Sequence, residues 1–511
     1  MNWDYVIVGA GSAGAVLAAR LTENPAVHVL LLEAGPDFRT PETPKAFQRR
    51  NIDMTVETNP DFFWPGLRAQ RNPAQEAMLY LRGRGLGGSS TVNGLCAIRG
   101  IPDDFDTWAR MGAKGWSFDE VLPSFIKLED EHDFPDAPYH GTGGPVPIYR
   151  EPESGWAGTD VAFRDTVLDL GHPWSDDHNA PDATGACPFA MNIKDGWRVS
   201  TNDGYLDPVR DRPNLTIRGG THVDSVVMSG TRARGVRLLT GEVEEIAEDG
   251  EVIVACGAAH SPALLMRSGI GPAAELARHG IDVVVDLPVG HGLQDHAMLL
   301  LPVPVVEDAC HGVEDRVTYV VLRYSSGLGG AGVNDMMLLP NNGGGRTVAG
   351  NRETGSVRVP AMMIAQQEQV FSRGQVTLVS RDPTVDPLIE QRLLTDKRDL
   401  IRMEDAIDRI AEIMDHREMR AILDGKPELP AKEDLPKIVT DTVHLCGSCR
   451  MGAPDDDTVV VDPDCRVLGI ERLRVIDASI MPTVTRANLH LSVVMIAEHM
   501  ATRMTSANDT A

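Results

Sequence analysis

The chain has no hydrophobic run long enough to cross a membrane. Its longest apolar stretch, residues 297–306, is interrupted by Pro302 and Pro304 and is far shorter than the roughly 20 residues that a transmembrane helix needs. The amino terminus also lacks the basic segment, apolar core and cleavage site of a secretory signal. We therefore predict a cytoplasmic protein with no integral membrane anchor.

Positive charge and aromatic side chains are both scarce. The 511 residues include 48 Lys and Arg against 74 Asp and Glu, a formal net charge of −26, and 5% aromatic residues. Such a surface repels phosphate backbones, so nucleic acid is excluded as a partner. The chain exceeds the size that one hydrophobic core usually supports, which predicts two packed lobes.

Cysteine is too rare for a disulfide framework. Seven cysteines, an odd number, in a chain without a secretion signal indicate a reducing compartment. Cys446 and Cys449 have CxxC spacing, but there is no second CxxC to complete a zinc site. Two interpretations stay open: a redox or metal-binding pair, or two partly buried thiols beside His444. No metal site is predicted.

A glycine-rich turn follows the first apolar segment. The run Tyr5-Val6-Ile7-Val8 leads into Gly9-Ala10-Gly11-Ser12-Ala13-Gly14 and then a helical pattern. The first glycine permits a tight turn, the second admits a pyrophosphate to the backbone, and the third lets the helix pack on the strand. A glycine loop without a nucleotide is the alternative for such a motif in isolation.

A second apolar segment, residues 27–32, supplies the rest of a βαβ unit. It ends in Glu33-Ala34, where an acidic side chain is placed to bond a ribose hydroxyl. Because an acid disfavours a 2′-phosphate, the pattern predicts FAD or NAD rather than NADP.

A second glycine-rich segment spans residues 81–100. Alone, it could be a flexible loop or a set of donors for a diphosphate or flavin. The candidate residues are Arg84, Gly87, Gly88, Ser89, Asn93 and Gly94.

Several further segments share one resemblance. Residues 83–106 and 257–271, together with Leu293-Gln294-Asp295-His296, His444 to Gly452 and Asp477-Ala478-Ser479, resemble the signatures of the glucose–methanol–choline (GMC) oxidoreductases, flavoproteins that oxidise alcohols. The resemblance extends over nearly the whole chain and implies FAD rather than NAD.

The resemblance also implies the fold. We expect an α/β chain (α+β overall) with a Rossmann-like FAD-binding domain and an inserted, discontinuous substrate-binding domain on an antiparallel sheet. The predicted FAD domain comprises residues 1–150, 195–300 and 440–511, and the substrate domain 151–194 and 301–439. The expected cofactor-binding residues are Gly9, Gly11, Ser12, Ala13, Gly14, Glu33, Ala34, Arg84, Gly87, Gly88, Ser89, Asn93, Gly94, Val223, Asp477 and Ala478, with Val223 near the adenine.

Two histidines near the carboxyl terminus carry the expected chemistry. His444 aligns with the family histidine that faces the flavin, and His490 with a second position that is His in some members and Asn in choline oxidases. A neutral imidazole suits removal of a hydroxyl proton. The resemblance implies His444 as base and His490 as the partner that positions the hydroxyl, with exchange of the two roles as the alternative.

The chain departs from choline oxidases at two sites. Val92 stands where they carry the histidine that attaches FAD covalently, which implies noncovalent FAD. His490 replaces their asparagine, and few aromatic residues between 300 and 440 offer a cage for a quaternary ammonium. We therefore expect an uncharged primary alcohol, with O₂ or another acceptor reoxidising the flavin.

A hydroxynitrile lyase and a noncatalytic flavoprotein are the alternatives. Neither the alcohol nor the oligomeric state follows from the sequence, and Met336, Met337 and Leu338 are only candidates for the pocket lining.

Overall fold

The glycine-rich amino-terminal motif lies at the carboxyl end of a parallel sheet. The computed structural model describes residues 3–48, 59–311, 316–342, 347–349, 356–358 and 360–508. Within them, parallel strands follow the order Leu215–Arg218, Val29–Leu32, Trp3–Val8, Val243–Val254 and Leu473–Val475. Their largely apolar, buried residues are typical of a sheet covered on both faces. The sheet continues antiparallel through Arg232–Leu238 and Val223–Ser229.

Helices cover this sheet. Helix Ser12–Leu21 follows the first strand directly and packs against helix Leu489–Asn508. The other α-helices of the described residues are Lys45–Gln48, Ser89–Val92, Pro102–Arg110, Phe118–Leu128, Gly158–Asp169, Gly257–Arg267, Ala273–Arg278, Lys397–Asp415, Arg417–Arg420 and Leu435–Ile438. No helix in this described part of the chain is both long and apolar enough to cross a bilayer.

An antiparallel sheet forms a second layer. Its strands follow the order Thr440–Asp441, Ala297–Val303, Ala361–Gln367, Met336–Asn341, Val320–Tyr324 and Gly185–Pro188. One face packs with helices Gly158–Asp169 and Lys397–Asp415 in a separate hydrophobic cluster. On the opposite face, Val321 and Met337 pack with residues of the first lobe, among them Leu95, Ile98 and Ala487.

A third sheet joins the two layers. It contains His291–Leu293, Gly374–Thr377, Leu388–Glu390, Arg68–Gln70 and Met78–Leu79. Two-stranded pairs are formed by Glu129–Glu131 with Val146–Ile148, Ile193–Lys194 with Trp197–Arg198, and Thr347–Ala349 with Ser356–Arg358. The third sheet unites residues that the sequence assigned to different domains, and the domain boundaries stay a prediction.

The predicted fold class is confirmed. A strand, glycine turn, helix and parallel strand open the chain, and the antiparallel sheet packs through Val321 and Met337 on residues that include Leu95 and Ala487.

Candidate active site

Two glycines of the amino-terminal turn are required by close packing. A Cβ on Gly14 would lie 1.8 Å from the carbonyl oxygen of Gly9, and one on Gly9 would lie 2.5 Å from that of Ala255. Gly9 also has a φ of +99°, which side chains other than glycine rarely adopt. At Gly11 the nearest atom to such a Cβ is 3.9 Å away. The first and third glycines therefore hold strand and helix together, while the second borders open space.

Glu33 fastens this turn to the second glycine-rich loop. Its carboxylate accepts hydrogen bonds from the backbone N–H groups of Ala10 (2.9 Å), Gly35 (2.8 Å) and Gly85 (3.0 Å). Burial raises the pKa of Glu33, and these backbone bonds oppose the shift. The acid thus aligns the two loops as well as facing the cleft.

A cleft opens where these loops meet. Helix Ser12–Leu21 begins at its edge without a side-chain cap among the described residues, so its amino-terminal N–H groups and dipole suit a diphosphate. The predicted cofactor residues that line the cleft are Gly9, Gly11, Ser12, Ala13, Glu33, Ala34, Gly88, Ser89, Val223, Asp477 and Ala478. The residues present therefore fit a dinucleotide such as FAD.

The other predicted cofactor residues support the cleft from outside its lining. Gly14 packs on the turn, Gly87 donates its N–H to the Ala10 carbonyl (2.8 Å), and Arg84 donates to the Ala34 carbonyl (2.9 Å).

Asn93 and Gly94 are held by buried arginines. Arg198 donates to the Asn93 side-chain oxygen (2.7 Å) and Arg316 to the Gly94 carbonyl (3.1 Å). These two residues are thereby fixed within the loop that continues from the cleft.

Sequence reasoning missed an aromatic wall of the cleft. The rings of Trp64 and His260 stack at 4.0 Å between centroids, and His222 meets Trp64 edge-on at 5.9 Å. All three line the cleft near Val223. Isolated rings at residues 64, 222 and 260 form no motif, so only the fold brings them together.

Hydrogen bonds around His444 assign its proton. His296 is buried, and its Nε2 lies 3.0 Å from the Thr485 carbonyl oxygen, so Nε2 carries the hydrogen. The pKa of His296 falls to about 4 because burial outweighs its bonds to backbone carbonyls. The ring is therefore neutral with a lone pair on Nδ1. His444 Nδ1 lies 2.9 Å from that atom and 2.7 Å from Thr442 Oγ1, so an N–H on Nδ1 is shared between these two acceptors, which leaves the lone pair of His444 on Nε2.

The environment keeps His444 neutral and aligned. Burial, and secondarily His296 and Arg82, lower the pKa of His444 well below its ordinary value. Thr442 Oγ1 lies 2.7 Å from Nδ1, and Asn488 Nδ2 lies 3.4 Å from Nε2. The Nε2 atom is thus unprotonated at neutral pH and accepts from the Asn488 amide.

Asp295 anchors the backbone at this position. It accepts the His444 N–H (2.9 Å), the Tyr80 hydroxyl (2.8 Å) and the Gln391 amide (2.8 Å). Burial, and then the neighbouring Asp441, raise the pKa of Asp295 to about 7.

His490 is the second residue of the last helix, Leu489–Asn508. It makes no hydrogen bond to His444 within the described part of the chain. Its Nδ1 is buried without a partner there, and burial together with Arg198 lowers its pKa to about 4. Asn488, two residues earlier, contacts the His444 ring instead. The sequence missed Asn488 and His296, although both stand in segments already singled out.

Two further side chains bear on the predictions. Cys446 and Cys449 are free, buried thiols whose pKa values burial raises, which favours the structural interpretation of the CxxC pair. Val92 is 5% exposed and packs with Phe47 and Phe63.

Known proteins are similar over nearly the full chain. The GMC oxidoreductase family models match residues 3–298 and 370–497. The chain is 36% identical to the 5-(hydroxymethyl)furfural oxidase of Methylovorus sp. (strain MP688), covering 98% of each chain. It is 36% identical to the oxygen-dependent choline dehydrogenase of Serratia proteamaculans (strain 568), covering 99% of this chain and 96% of the other. The crystal structure of pyridoxine 4-oxidase from Mesorbium loti superposes with a TM-score of 0.87 at 30% identity, covering 99% of both chains.

Proposed function

Because the chain belongs to the GMC oxidoreductase family, we propose that it oxidises a primary alcohol to an aldehyde with noncovalently bound FAD. The observation that carries the proposal is the neutral, aligned His444, whose unprotonated Nε2 is bonded only by the long contact to Asn488 Nδ2 (3.4 Å) among the described residues. FAD, when bound, would supply the acceptor of the hydride, which carries both electrons away from the carbinol carbon.

The residues of the chain manage the hydroxyl proton. His444 takes it at Nε2 as hydride departs, so that alcohol minus one proton and one hydride gives the aldehyde. His296 accepts from Nδ1–H and holds the ring in the tautomer that keeps Nε2 free. Asn488 Nδ2 lies 3.4 Å from this Nε2, and we propose that His490, two residues further along the chain, orients the hydroxyl.

An anaerobic screen of aromatic, aliphatic, sugar and amino alcohols tests this function. We expect primary alcohols to bleach the oxidised-flavin absorbance of the holoenzyme. Flavin that no alcohol reduces would instead support a lyase or a noncatalytic flavoprotein. Oxygen uptake after bleaching then separates O₂ from another acceptor.

The absence of a nucleophile at residue 92 predicts releasable FAD. The Val92 side chain is aliphatic and packed in an apolar cluster, so acid precipitation of the holoenzyme should leave yellow FAD in the supernatant. Flavin that stays in the pellet would contradict noncovalent binding.

Matched asparagine variants assign the two histidines. His490→Asn keeps a hydrogen-bonding side chain and should retain far more activity than His444→Asn, because an amide positions a hydroxyl but takes no proton at neutral pH. The ionisation that governs flavin reduction should persist in His490→Asn and vanish in His444→Asn. The reverse pattern would exchange their roles.

A further inference from the structure

The inner face of the antiparallel sheet carries a polar strip beside His296. Gln366 pairs with Met298 on one side and with Met337 on the other, and Met337 pairs with Arg323. Residues directly opposite one another in antiparallel strands share a face. Met337 packs against the first lobe, so Gln366 and Arg323 also face that lobe. Of the three lining candidates from the sequence, Met336 and Leu338 belong to the opposite face.

Glu368 extends this strip toward the catalytic histidine. It directly follows strand Ala361–Gln367, and its side chain contacts that of Gln366. The Gln366 amide donates to Glu368 Oε1 (2.7 Å), whereas the buried Oε2 has no partner among the described residues. The backbone carbonyl of Glu368 is a hydrogen-bond acceptor that opposes the lowering of the His296 pKa. His296 in turn lies in hydrogen-bond contact with His444. The strip thus begins next to the proposed base.

Arg323 is a buried cation with unused donors. It is fully buried, and Nη2 donates to the carbonyls of His178 (2.9 Å) and Ala183 (3.2 Å). Its Nε and Nη1 have no partner within the described residues, and no carboxylate there lies within 4.0 Å of the guanidinium. Arg402, equally buried, pairs with both Asp335 (3.2 Å) and Asp399 (2.6 Å).

The nearest acids leave Arg323 without a directly paired counter-ion at neutral pH. Burial raises the pKa of Asp104 to about 6, so this carboxylate is ionised at neutral pH, but it pairs with Arg486 (3.3 Å). Burial, opposed by Arg323, raises the pKa of Glu368 to about 8. Asp104 accepts the backbone N–H groups of Ile101 (3.0 Å) and Arg486 (2.8 Å). A buried charge without a counter-ion is costly, and two free N–H donors match the two oxygens of a carboxylate.

We propose that Arg323, flanked by Glu368 and Gln366, is an anion subsite of the substrate pocket that selects primary alcohols bearing a carboxylate at their far end. The inference rests on the proposed alcohol oxidation and narrows it. The sequence predicts an uncharged alcohol. The substrate proposed here differs from that prediction, because its far end carries a negative charge although its reacting hydroxyl is neutral.

Strand spacing sets the size of this substrate. Strands Ala297–Val303 and Val320–Tyr324 are separated by two intervening strands, so three spacings of about 4.8 Å place them roughly 14 Å apart. An alcohol with its hydroxymethyl and carboxylate groups at opposite ends of one aromatic ring can extend along this direction and is the simplest probe of it.

The test compares 4-(hydroxymethyl)benzoate with its neutral isostere 4-(hydroxymethyl)benzamide on the holoenzyme. Wild type should have the higher kcat/KM for the benzoate. Arg323→Met should raise KM for the benzoate by about 10–10²-fold, as expected for loss of a hydrogen bond to a charged group, and change the amide a few-fold at most. The KM of Arg323→Lys for the benzoate should lie between the KM of wild type and that of Arg323→Met.

Arg409→Met is the matched control. Arg409 lies over the Tyr324 ring (4.9 Å) on the opposite, helix-covered face of the same sheet, so its loss should leave the preference for benzoate unchanged. If Arg323→Met lost activity equally toward both substrates, Arg323 would have a structural role and the anion subsite would be overturned. Equal use of both by wild type would also overturn it.

Binding without turnover gives an independent measurement if Arg323→Met does not fold. Calorimetry should show benzoate binding the wild-type holoenzyme more tightly than benzamide does, and Arg323→Lys weakening benzoate alone. Equal affinities would refute the subsite. Flavin that neither alcohol reduces, despite selective benzoate binding, would refute the proposed oxidation while leaving the anion subsite supported.

Glu368 adds a pH signature. Its side chain faces Arg323, Asp104 and the His296 region. Ionisation above about pH 8 would place a second negative charge beside the ligand, so KM for the benzoate should rise there. Glu368→Gln should flatten that rise; an unchanged rise would remove Glu368 from the subsite.

Discussion

Replacement of His444 by Ala is expected to slow alcohol-dependent reduction of the bound flavin by about 10²–10⁴-fold, the usual contribution of a general base. The reason is geometric as well as chemical. His296 donates to the Thr485 carbonyl and accepts from His444 Nδ1, which leaves Nε2 unprotonated. Stopped-flow reduction under anaerobic conditions measures the effect directly.

Two controls accompany this variant. FAD content should stay near one per chain, because His444 is absent from the lining of the nucleotide cleft. His291→Ala removes an exposed histidine from strand His291–Leu293 and should reduce its flavin at the wild-type rate. If the flavin of His444→Ala were reduced at nearly the wild-type rate, a group other than His444 would be the base that takes the hydroxyl proton.

The pH dependence has a defined sign. Burial and nearby positive groups lower the pKa of His444 well below its ordinary value, so the base is already neutral at pH 7. The wild-type reduction rate should therefore be flat near neutrality and fall only in acid. His444→Ala should lack that acid limb.

Much of the nucleotide half was predictable because its signals are local. Gly14 packs on Gly9 within the turn itself, and Glu33 ends the very next strand. The contacts of Gly9 with Ala255 and of Glu33 with Gly85 are long-range, but the βαβ pattern already places the turn and the acid. The alternation of buried apolar strands and a glycine turn is therefore readable without the fold.

The active-site partners required long-range register. His296 reaches His444 across 148 residues, and Glu368 lies near His296 only because strands Ala297–Val303 and Ala361–Gln367 pair with Met298 opposite Gln366. A slip of one residue would turn these side chains to the other face. No single-sequence pattern fixes that pairing, and the unused donors of Arg323 are visible only once its neighbours are placed.

A buried ionic network connects Arg99, in the second glycine-rich segment, with residues later in the chain. His140 Nδ1 bonds Glu129 (2.8 Å) and Nε2 bonds Asp177 (2.9 Å). Arg99 donates to Glu129 (2.9 Å) and Arg150 to Asp177 (2.5 Å). Because every member is at most 6% exposed, removal of one leaves charges without their partner.

His140→Leu is therefore expected to lower the free energy of unfolding by about 3–5 kcal/mol, the usual cost of breaking a buried ion pair from one side. Urea unfolding followed by tryptophan fluorescence measures it. His132→Leu removes a half-exposed ring whose nearest acid is Asp130, 3.3 Å away, and should cost under about 1 kcal/mol. Equal losses would show that His140 contributes no more than a surface pair.

The pH dependence shows whether His140 carries charge. Burial favours the neutral ring, but the bonds to Asp177 and Glu129 outweigh it and raise the pKa of His140. A raised pKa contributes stability that is fully present below about pH 6.5, the ordinary value, and disappears as pH rises through the folded-state pKa. The stability difference between wild type and His140→Gln, which is uncharged throughout, should therefore narrow on the alkaline side. A difference that stays constant over roughly three pH units around neutrality would mean that the ring is held neutral and that Arg99 and Arg150 alone balance the carboxylates of Glu129, Glu131 and Asp177.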